Sequence, residues 1–179
     1  MKRCILFFLV TAFFVSKLAA SESLESFLGE LPVSDIRILE KESVFEQIME
    51  VMIEQPLDHN NPDGPTFKQR IYISHISPDK PVVLVTAGYD AKYYFNSEIA
   101  LEFGFNQIIV EHRYFGKSVP ENPDWDYLNT WQAASDHHNI VETFKKFYSG
   151  KWISTGISKG GQTVMFHSYY YPGDIDVKV

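Results

Sequence analysis

From residue 81 onward, the sequence alternates between short runs rich in Val and Ile and longer segments with the apolar spacing of helices. The runs are PVVLVTAG (81–88), NQIIVEH (106–112) and KWISTG (151–156). Apolar runs of this length are typical of parallel strands that are buried on both faces. The alternation therefore predicts an α/β protein in which helices connect parallel strands through right-handed crossovers.

Three helices are predicted between and after these strands, over residues 92–104, 130–151 and 159–171. The first ends at Gly104, a typical helix cap, and the second has apolar residues at every third or fourth position. DVKV (176–179) could begin a further strand. Because functional loops lie at the carboxyl ends of the strands in such sheets, we expect the site in the segments that follow the three strands.

The part of the chain before residue 81 has a different pattern. SVFEQIMEVMIEQP (43–56) and TFKQRIYISHI (66–76) alternate apolar and polar residues, and turn-forming residues separate them. This pattern predicts an antiparallel hairpin ahead of the parallel strands. Residues 21–42 are polar and mixed, with one short helix expected around residues 22–29.

The first twenty residues have the features of a secretory signal peptide. Lys2 and Arg3 precede the apolar run CILFFLVTAFFV (4–15), and small residues follow, with cleavage expected after Ala20. The run is short for a bilayer span, although an uncleaved membrane anchor is the alternative interpretation. The predicted division is therefore a signal peptide (1–20), a polar segment (21–42) and the folded domain (43–179).

Charge and cysteine content exclude several classes of function. The formal net charge is −7 at pH 7, and loss of the basic signal peptide would make the chain more acidic, so nucleic acid is not an expected partner. Cys4 is the only cysteine and lies in the predicted signal peptide, so we expect no disulfide and no thiol for catalysis or zinc binding. No metal and no cofactor are expected. Without disulfides or glycosylation motifs, the chain fits a secreted or periplasmic bacterial protein with no membrane contact after cleavage.

Ser158 lies in GISKG (156–160), a Gly-x-Ser-x-Gly motif between the third parallel strand and the last helix. A serine placed between strand and helix in this way is typical of a nucleophile elbow, a sharp turn that holds the residue in a strained conformation. Gly156 and Gly160 would let the strand and the helix approach each other. We predict that Ser158 is a catalytic nucleophile; the alternative is a small residue in a tight glycine turn.

Backbone N–H groups near Ser158 are predicted to stabilise an oxyanion. The N–H of Lys159 lies at the start of the helix, where the helix dipole adds to its effect. A second donor is expected in TAGYD (86–90), after the first parallel strand, from the N–H of Gly88 or Tyr89. The side chain of Lys159 is expected to be solvated.

The residues after Ser158 do not supply the base and the orienting carboxylate that a serine nucleophile needs. In this arrangement an acid and then a histidine follow the nucleophile. The only acids that follow are Asp174 and Asp176, and the only histidine is His167. His167 lies on the same helix as the elbow, about 13 Å further along it, so the triad is expected to be incomplete within residues 1–179.

Five segments, QPLDHNNP, FKQRIYISH, VEHRYFGKSVP, AASDHHNIV and KWISTGISKGGQT, occur in this order along residues 45–179. Together they resemble the secreted tripeptidyl-aminopeptidase family of Streptomyces and Bacteroidetes, and more distantly the prolyl carboxypeptidases. The resemblance implies an α/β-hydrolase fold and a serine peptidase that releases short peptides from free amino termini. Ser158 matches the family nucleophile. The resemblance also implies that the triad Asp and His lie far downstream. The chain therefore looks like the amino-terminal part of a family member, with an incomplete sheet.

Two other functions stay open at this point. An esterase or lipase would use the same elbow, and an inactive fragment would act only through binding. A peptide substrate is the expected partner, and the oligomeric state is not predicted.

Several charged residues in these segments have two interpretations. Glu111 and Arg113, at the end of the second parallel strand, could contact substrate termini or form a structural ion pair. Asp58, His59 and Arg70 could organise the hairpin turn or contact a ligand.

Overall fold

The computed structural model describes residues 23–39 and 44–179, which build a mixed seven-stranded sheet. The strands are β1 (Val33–Ile38), β2 (Gln47–Pro56), β3 (Thr66–His75), β4 (Val82–Thr86), β5 (Asn106–Val110), β6 (Trp152–Thr155) and β7 (Val177–Lys178). The helices are α1 (Leu24–Gly29), α2 (Glu98–Phe103), α3 (Thr130–Phe144) and α4 (Lys159–Tyr170), with a 3-10 turn at Trp125–Tyr127. The strand order across the sheet is β1-β2-β3-β5-β4-β6-β7.

The sheet changes from antiparallel to parallel at β5. Strands β1, β2 and β3 pair antiparallel, and β3 also runs antiparallel to β5. Strands β5, β4, β6 and β7 are parallel to one another. This arrangement confirms the predicted hairpin, the three predicted parallel strands and the further strand at the end of the chain.

Two hydrophobic cores lie on opposite faces of the sheet, and alternate residues of β4 show how they are divided. Leu84 belongs to the core that contains residues of α1 and α3. Val83 and Val85 belong to the other core, which contains Ala100 of α2. Because both faces of β4 are covered, all five of its residues are buried, which explains its continuous apolar run.

Two predicted helices are shorter in the structure. Helix α2 begins at Glu98 because the Ser97 side chain accepts a hydrogen bond from the Ala100 N–H, and it ends at Gly104 with a left-handed φ of 60°. Helix α3 ends at Phe144 rather than continuing to residue 151. The chain then turns, because the aromatic residues that follow α3 pack into the core beside α1.

Strand β1 was not predicted, and its exposure to solvent explains why. It lies at the edge of the sheet and its last four residues are exposed, so its sequence lacks an apolar alternation.

The predicted signal peptide, residues 1–20, lies outside the described residues. Among the helices of the described part of the chain, none is long and apolar enough to cross a membrane.

Candidate active site

Ser158 lies at a sharp turn between β6 and α4. It has φ 55° and ψ −117°, a left-handed conformation that is unfavourable for a residue with a side chain. The residue is exposed and directly precedes Lys159, the first residue of α4. The sequence therefore correctly placed a strained, accessible serine between a parallel strand and a helix.

The turn depends on close backbone contacts between β4, β6 and α4. A Cβ on Gly160 would overlap the carbonyl oxygen of Thr86, and a Cβ on Gly156 would lie 2.5 Å from the carbonyl carbon of Gly160. The Thr86 hydroxyl donates a hydrogen bond of 2.7 Å to the Gly160 carbonyl oxygen. These contacts explain the glycine spacing and hold the start of α4 against the sheet.

The loop after β4 lies directly against this turn. A Cβ on Gly88 would be 2.5 Å from the Gly160 nitrogen and 2.6 Å from the Lys159 Cβ, so only glycine fits there. Within residues 23–39 and 44–179, the N–H groups of Gly88, Tyr89 and Lys159 donate no hydrogen bond. The groups expected to bind an oxyanion are therefore near the serine and unpaired, and their catalytic role stays a prediction.

The side chain of Lys159 is not solvated as expected. Its Nζ donates a hydrogen bond of 2.7 Å to the Gly88 carbonyl oxygen. It also lies 5.1 Å from the ring centroid of Tyr89 and 5.6 Å from that of Phe115. Burial lowers the pKa of the Lys159 ammonium. No local sequence pattern indicates this environment, since both rings belong to loops that are far from residue 159 in the sequence.

A cavity of about 280 Å³ lies beside the turn, between α3, α4 and the loop after β5. Its walls include the apolar side chains of Phe115, Leu128 and Phe166, together with Lys159. Ser158 is not on its wall. The cavity could accommodate part of a ligand next to the serine.

His112 is also on the wall of this cavity. Its Nδ1 donates a hydrogen bond of 2.9 Å to the Arg113 carbonyl oxygen, and its N–H donates one of 3.1 Å to the Tyr89 carbonyl oxygen. Burial lowers the pKa of His112, which favours the neutral form of the ring. Its position at the carboxyl end of β5 was the one sequence signal that could have drawn attention to it.

His167 is bonded to Asp174 rather than placed with Ser158. It is fully buried on α4, and its Nε2 lies 2.8 Å from the Asp174 carboxylate. His138 of α3 contacts the same carboxylate through Nδ1 at 2.9 Å. Burial alone would raise the pKa of Asp174, but hydrogen bonds from the two histidines lower it on balance. The three side chains therefore connect α3, α4 and the segment before β7.

One group of side chains in the described part of the chain has the composition of a metal site. The ligand atoms of His138, Glu142 and Asp174 lie within 4.8 Å of one another. His138 and Asp174 are already hydrogen-bonded to each other, so their polar atoms are satisfied without an ion. We assign no metal to this group.

Glu111 and Arg113 both form ion pairs, but not with each other. Glu111 is fully buried and pairs with Arg70 of β3. Arg113 is also fully buried, and its guanidinium contacts the Asp136 carboxylate of α3 at 2.7 and 2.8 Å. The structure supports the structural interpretation of these two residues. Each forms a buried ion pair, one with the sheet and the other with α3.

The three residues expected to organise the hairpin turn, Asp58, His59 and Arg70, have different partners. Asp58 accepts a hydrogen bond from the Asn60 N–H at 2.9 Å, which organises the turn as expected. His59 reaches away from the turn, with its Nε2 2.8 Å from the Asp136 carboxylate. Arg70 does not contact the turn, because its partner is Glu111.

Solved structures with the same architecture are α/β hydrolases. An acetyl xylan esterase from Thermoanaerobacterium sp. JW/SL YS485 aligns with a TM-score of 0.58 and 11% identity, over 86% of this chain and 55% of the esterase. An α/β fold family hydrolase from Bacillus anthracis aligns with a TM-score of 0.51 and 17% identity, over 72% of this chain and 41% of the hydrolase. The fold is therefore the α/β-hydrolase fold, with the serine at the turn where such folds carry their nucleophile.

Residues 29–179 match the family described as PS-10 peptidase S37, and the chain belongs to this family. Over 123 residues, it is 40% identical to prolyl tri/tetrapeptidyl aminopeptidase from Streptomyces mobaraensis, covering 68% of this chain and 26% of the relative. It is 33% identical over 126 residues to a probable serine protease of Arabidopsis thaliana, covering 63% of this chain and 25% of the relative. The chain spans about a quarter of the length of these two curated relatives.

Proposed function

We propose that these residues form the amino-terminal part of an exported serine aminopeptidase, with Ser158 as its nucleophile. The observation that carries the proposal is the strained, exposed serine between β6 and α4 in a chain of a peptidase family. In a turn of this kind the hydroxyl projects away from the sheet toward a substrate.

The surrounding backbone supports acyl transfer from a peptide. The Ser158 hydroxyl would attack the scissile carbonyl carbon, and the carbonyl oxygen would become an oxyanion. The unpaired N–H of Lys159, with that of Gly88 or Tyr89, would stabilise this charge. Each donor contributes about 3 kcal/mol of transition-state stabilisation, and the dipole of α4 adds to it.

The base and its carboxylate are proposed to come from sequence beyond residue 179. The base would take the Ser158 proton and transfer it to the leaving amine, and water would then release the peptide from the acyl-enzyme. His167 is not suited to this role because it is fully buried and bonded to Asp174. This part of the proposal rests on the match covering only about a quarter of each of these relatives.

The substrate class and the compartment are further parts of the proposal. The relative from Streptomyces is named as a tri/tetrapeptidyl aminopeptidase, which supports release of short peptides from free amino termini. The predicted signal peptide at residues 1–20 supports export to the periplasm or the exterior.

The test compares the complete gene product that carries these residues with its Ser158→Ala variant. We expect release of tripeptides from a free-amino peptide, none from the N-acetylated peptide, and a loss of about 10⁴-fold or more in kcat for Ser158→Ala. Ser26→Ala, an exposed serine of α1, is the matched control and should retain full turnover. Turnover that survives Ser158→Ala would exclude this serine as the nucleophile.

Two assays separate the alternatives. Faster turnover of a p-nitrophenyl ester than of a peptide anilide, in the same gene product, would favour an esterase. Labelling of the 179-residue chain by a fluorophosphonate probe would show that it is active without a downstream base, and absence of labelling is what the proposal expects.

A further inference from the structure

The ammonium group of Lys159 joins the two halves of the proposed oxyanion site. Its backbone belongs to the turn that carries Ser158, whereas its Nζ donates to the carbonyl oxygen of Gly88, 71 residues earlier in the sequence. The rings of Tyr89 and Phe115 pack against each other with centroids 5.3 Å apart, and Nζ lies near both. The side chain is therefore held in one place by a hydrogen bond and two aromatic contacts.

The carbonyl oxygen that Lys159 binds belongs to the same peptide group as the N–H of Tyr89. In a trans peptide group, C=O and N–H point in opposite directions, and the structure contains no cis peptide bond among its described residues. A hydrogen bond that fixes the Gly88 carbonyl therefore also fixes the direction of the Tyr89 N–H. The next carbonyl, that of Tyr89, is fixed by the His112 N–H at 3.1 Å.

An ion pair does not explain the position of the Lys159 ammonium group. Within residues 23–39 and 44–179, no carboxylate lies within ion-pair distance of Lys159 Nζ. Partial burial without a counter-ion disfavours the charged form, as the lowered pKa of Lys159 shows. The contact with the Gly88 carbonyl thus occurs at some cost in free energy, which is typical of functional sites.

We propose that Lys159 is a positioning residue whose side chain holds the Gly88–Tyr89 peptide group so that the Tyr89 N–H serves the oxyanion. The inference rests on the proposed function and selects Tyr89 over Gly88 as the second donor. Glycine at position 88 has a wider range of allowed backbone torsions than other residues, so a contact is needed to fix the orientation of this peptide group. Without the Lys159 contact, rotation would direct the Gly88 carbonyl oxygen toward the developing negative charge.

The test uses Lys159→Met and Lys159→Arg in the complete gene product. Methionine keeps an apolar stem against the two rings but removes the donor, whereas arginine keeps a donor. We expect Lys159→Met to lower kcat by 10- to 100-fold with KM within about threefold, because the lost interaction acts in the transition state. Lys159→Arg should recover most of that loss.

Affinity for a peptide aldehyde, which forms a tetrahedral oxyanion on the serine, gives a second readout. It should weaken in Lys159→Met in parallel with kcat, whereas affinity for the unreactive peptide alcohol stays unchanged. If Lys159→Met does not fold, Lys159→Leu replaces it, since leucine also has no donor for the Gly88 carbonyl.

The outcomes separate the two proposals. Wild-type kcat and aldehyde affinity in a folded Lys159→Met, together with loss of turnover in Ser158→Ala, would overturn the role of Lys159 and leave the proposed function intact. Full turnover in Ser158→Ala would overturn both. Equal losses in Lys159→Met and Lys159→Arg would also exclude a role for the donor.

Discussion

The turn at Ser158 and the loop Glu111–Ser118 follow strands on either side of β4, yet the two regions are built in opposite ways. The turn exposes its serine in a strained conformation, and its Lys159 N–H has no hydrogen-bond partner in the part of the chain that the structure describes. The loop buries Glu111 and Arg113 and pairs each with an opposite charge. Charged residues in a motif are therefore not by themselves a sign of catalysis, and unpaired donors beside an exposed hydroxyl are the stronger sign.

The Glu111 carboxylate shows how completely the loop is paired. It accepts hydrogen bonds from the N–H groups of Ala91, Lys117 and Ser118 at 2.8–3.0 Å, in addition to its ion pair with Arg70. The loop also needs glycine at position 116, which has a φ of 54° and where a Cβ would overlap the Glu111 carboxylate.

The buried pair of Arg113 and Asp136 gives the largest expected effect on stability. Burial alone would raise the pKa of Asp136, but the charge and hydrogen bonds of Arg113, with His59, lower it on balance. Asp136→Asn would leave the buried guanidinium uncompensated and lower the free energy of unfolding by about 3–5 kcal/mol. Urea unfolding measures this, with the exposed Asp126→Asn as control. Equal stability of the two variants would show that the loop is not held by this pair.

Gly160→Ala should have the next largest effect, because it tests the backbone contacts of the turn. The added Cβ would overlap the Thr86 carbonyl oxygen, so β4 and α4 would have to separate. We expect a loss of about 1–3 kcal/mol in the free energy of unfolding, together with a lower kcat. Gly173→Ala is the matched control, since a Cβ there meets nothing within 4 Å. A stable, fully active Gly160→Ala protein would contradict the close packing described above.

Acid should lower the free energy of unfolding through the buried His137. Burial and the charge of nearby His167 lower the pKa of His137 to about 3. The unfolded chain takes up a proton at this histidine below pH 6.5, whereas the folded chain does so only near pH 3. Stability is therefore full above pH 6.5 and falls as the pH drops toward 3, by about 1–2 kcal/mol between pH 7 and pH 5.

Urea unfolding of the wild-type protein and of His137→Gln at both pH values tests this expectation. The substitution should reduce the loss of stability on acidification. An identical loss in both proteins would assign the acid sensitivity to other groups.

Ile157→Ser should have the smallest effect on stability, and it tests whether the turn is exposed in the complete protein. The side chain of Ile157 is 89% exposed beside the serine. The free energy of unfolding should change by less than about 0.5 kcal/mol, as at other surface positions. A larger change would mean that Ile157 packs against a part of the gene product outside the described residues.

The sequence predicted the turn well because its causes are local. Apolar runs mark β4, β5 and β6, and the glycines at positions 156 and 160 frame Ser158 within five residues. These signals are properties of short segments, so they can be read without knowing which segments meet. The start of α2 and the end of α3 were less predictable, since a serine cap decided the first and core packing of aromatic residues the second.

The sequence by itself determined the strand order along the chain, the strained serine and the candidate N–H donors. Only the tertiary structure decided the partners of the charged groups: Arg113 pairs with Asp136 rather than Glu111, and Lys159 binds the Gly88 carbonyl rather than water. The physical reason is that periodicity and turn formation depend on neighbouring residues. The partner of a buried charge depends instead on which distant segments the crossovers of the sheet bring within 3 Å of it.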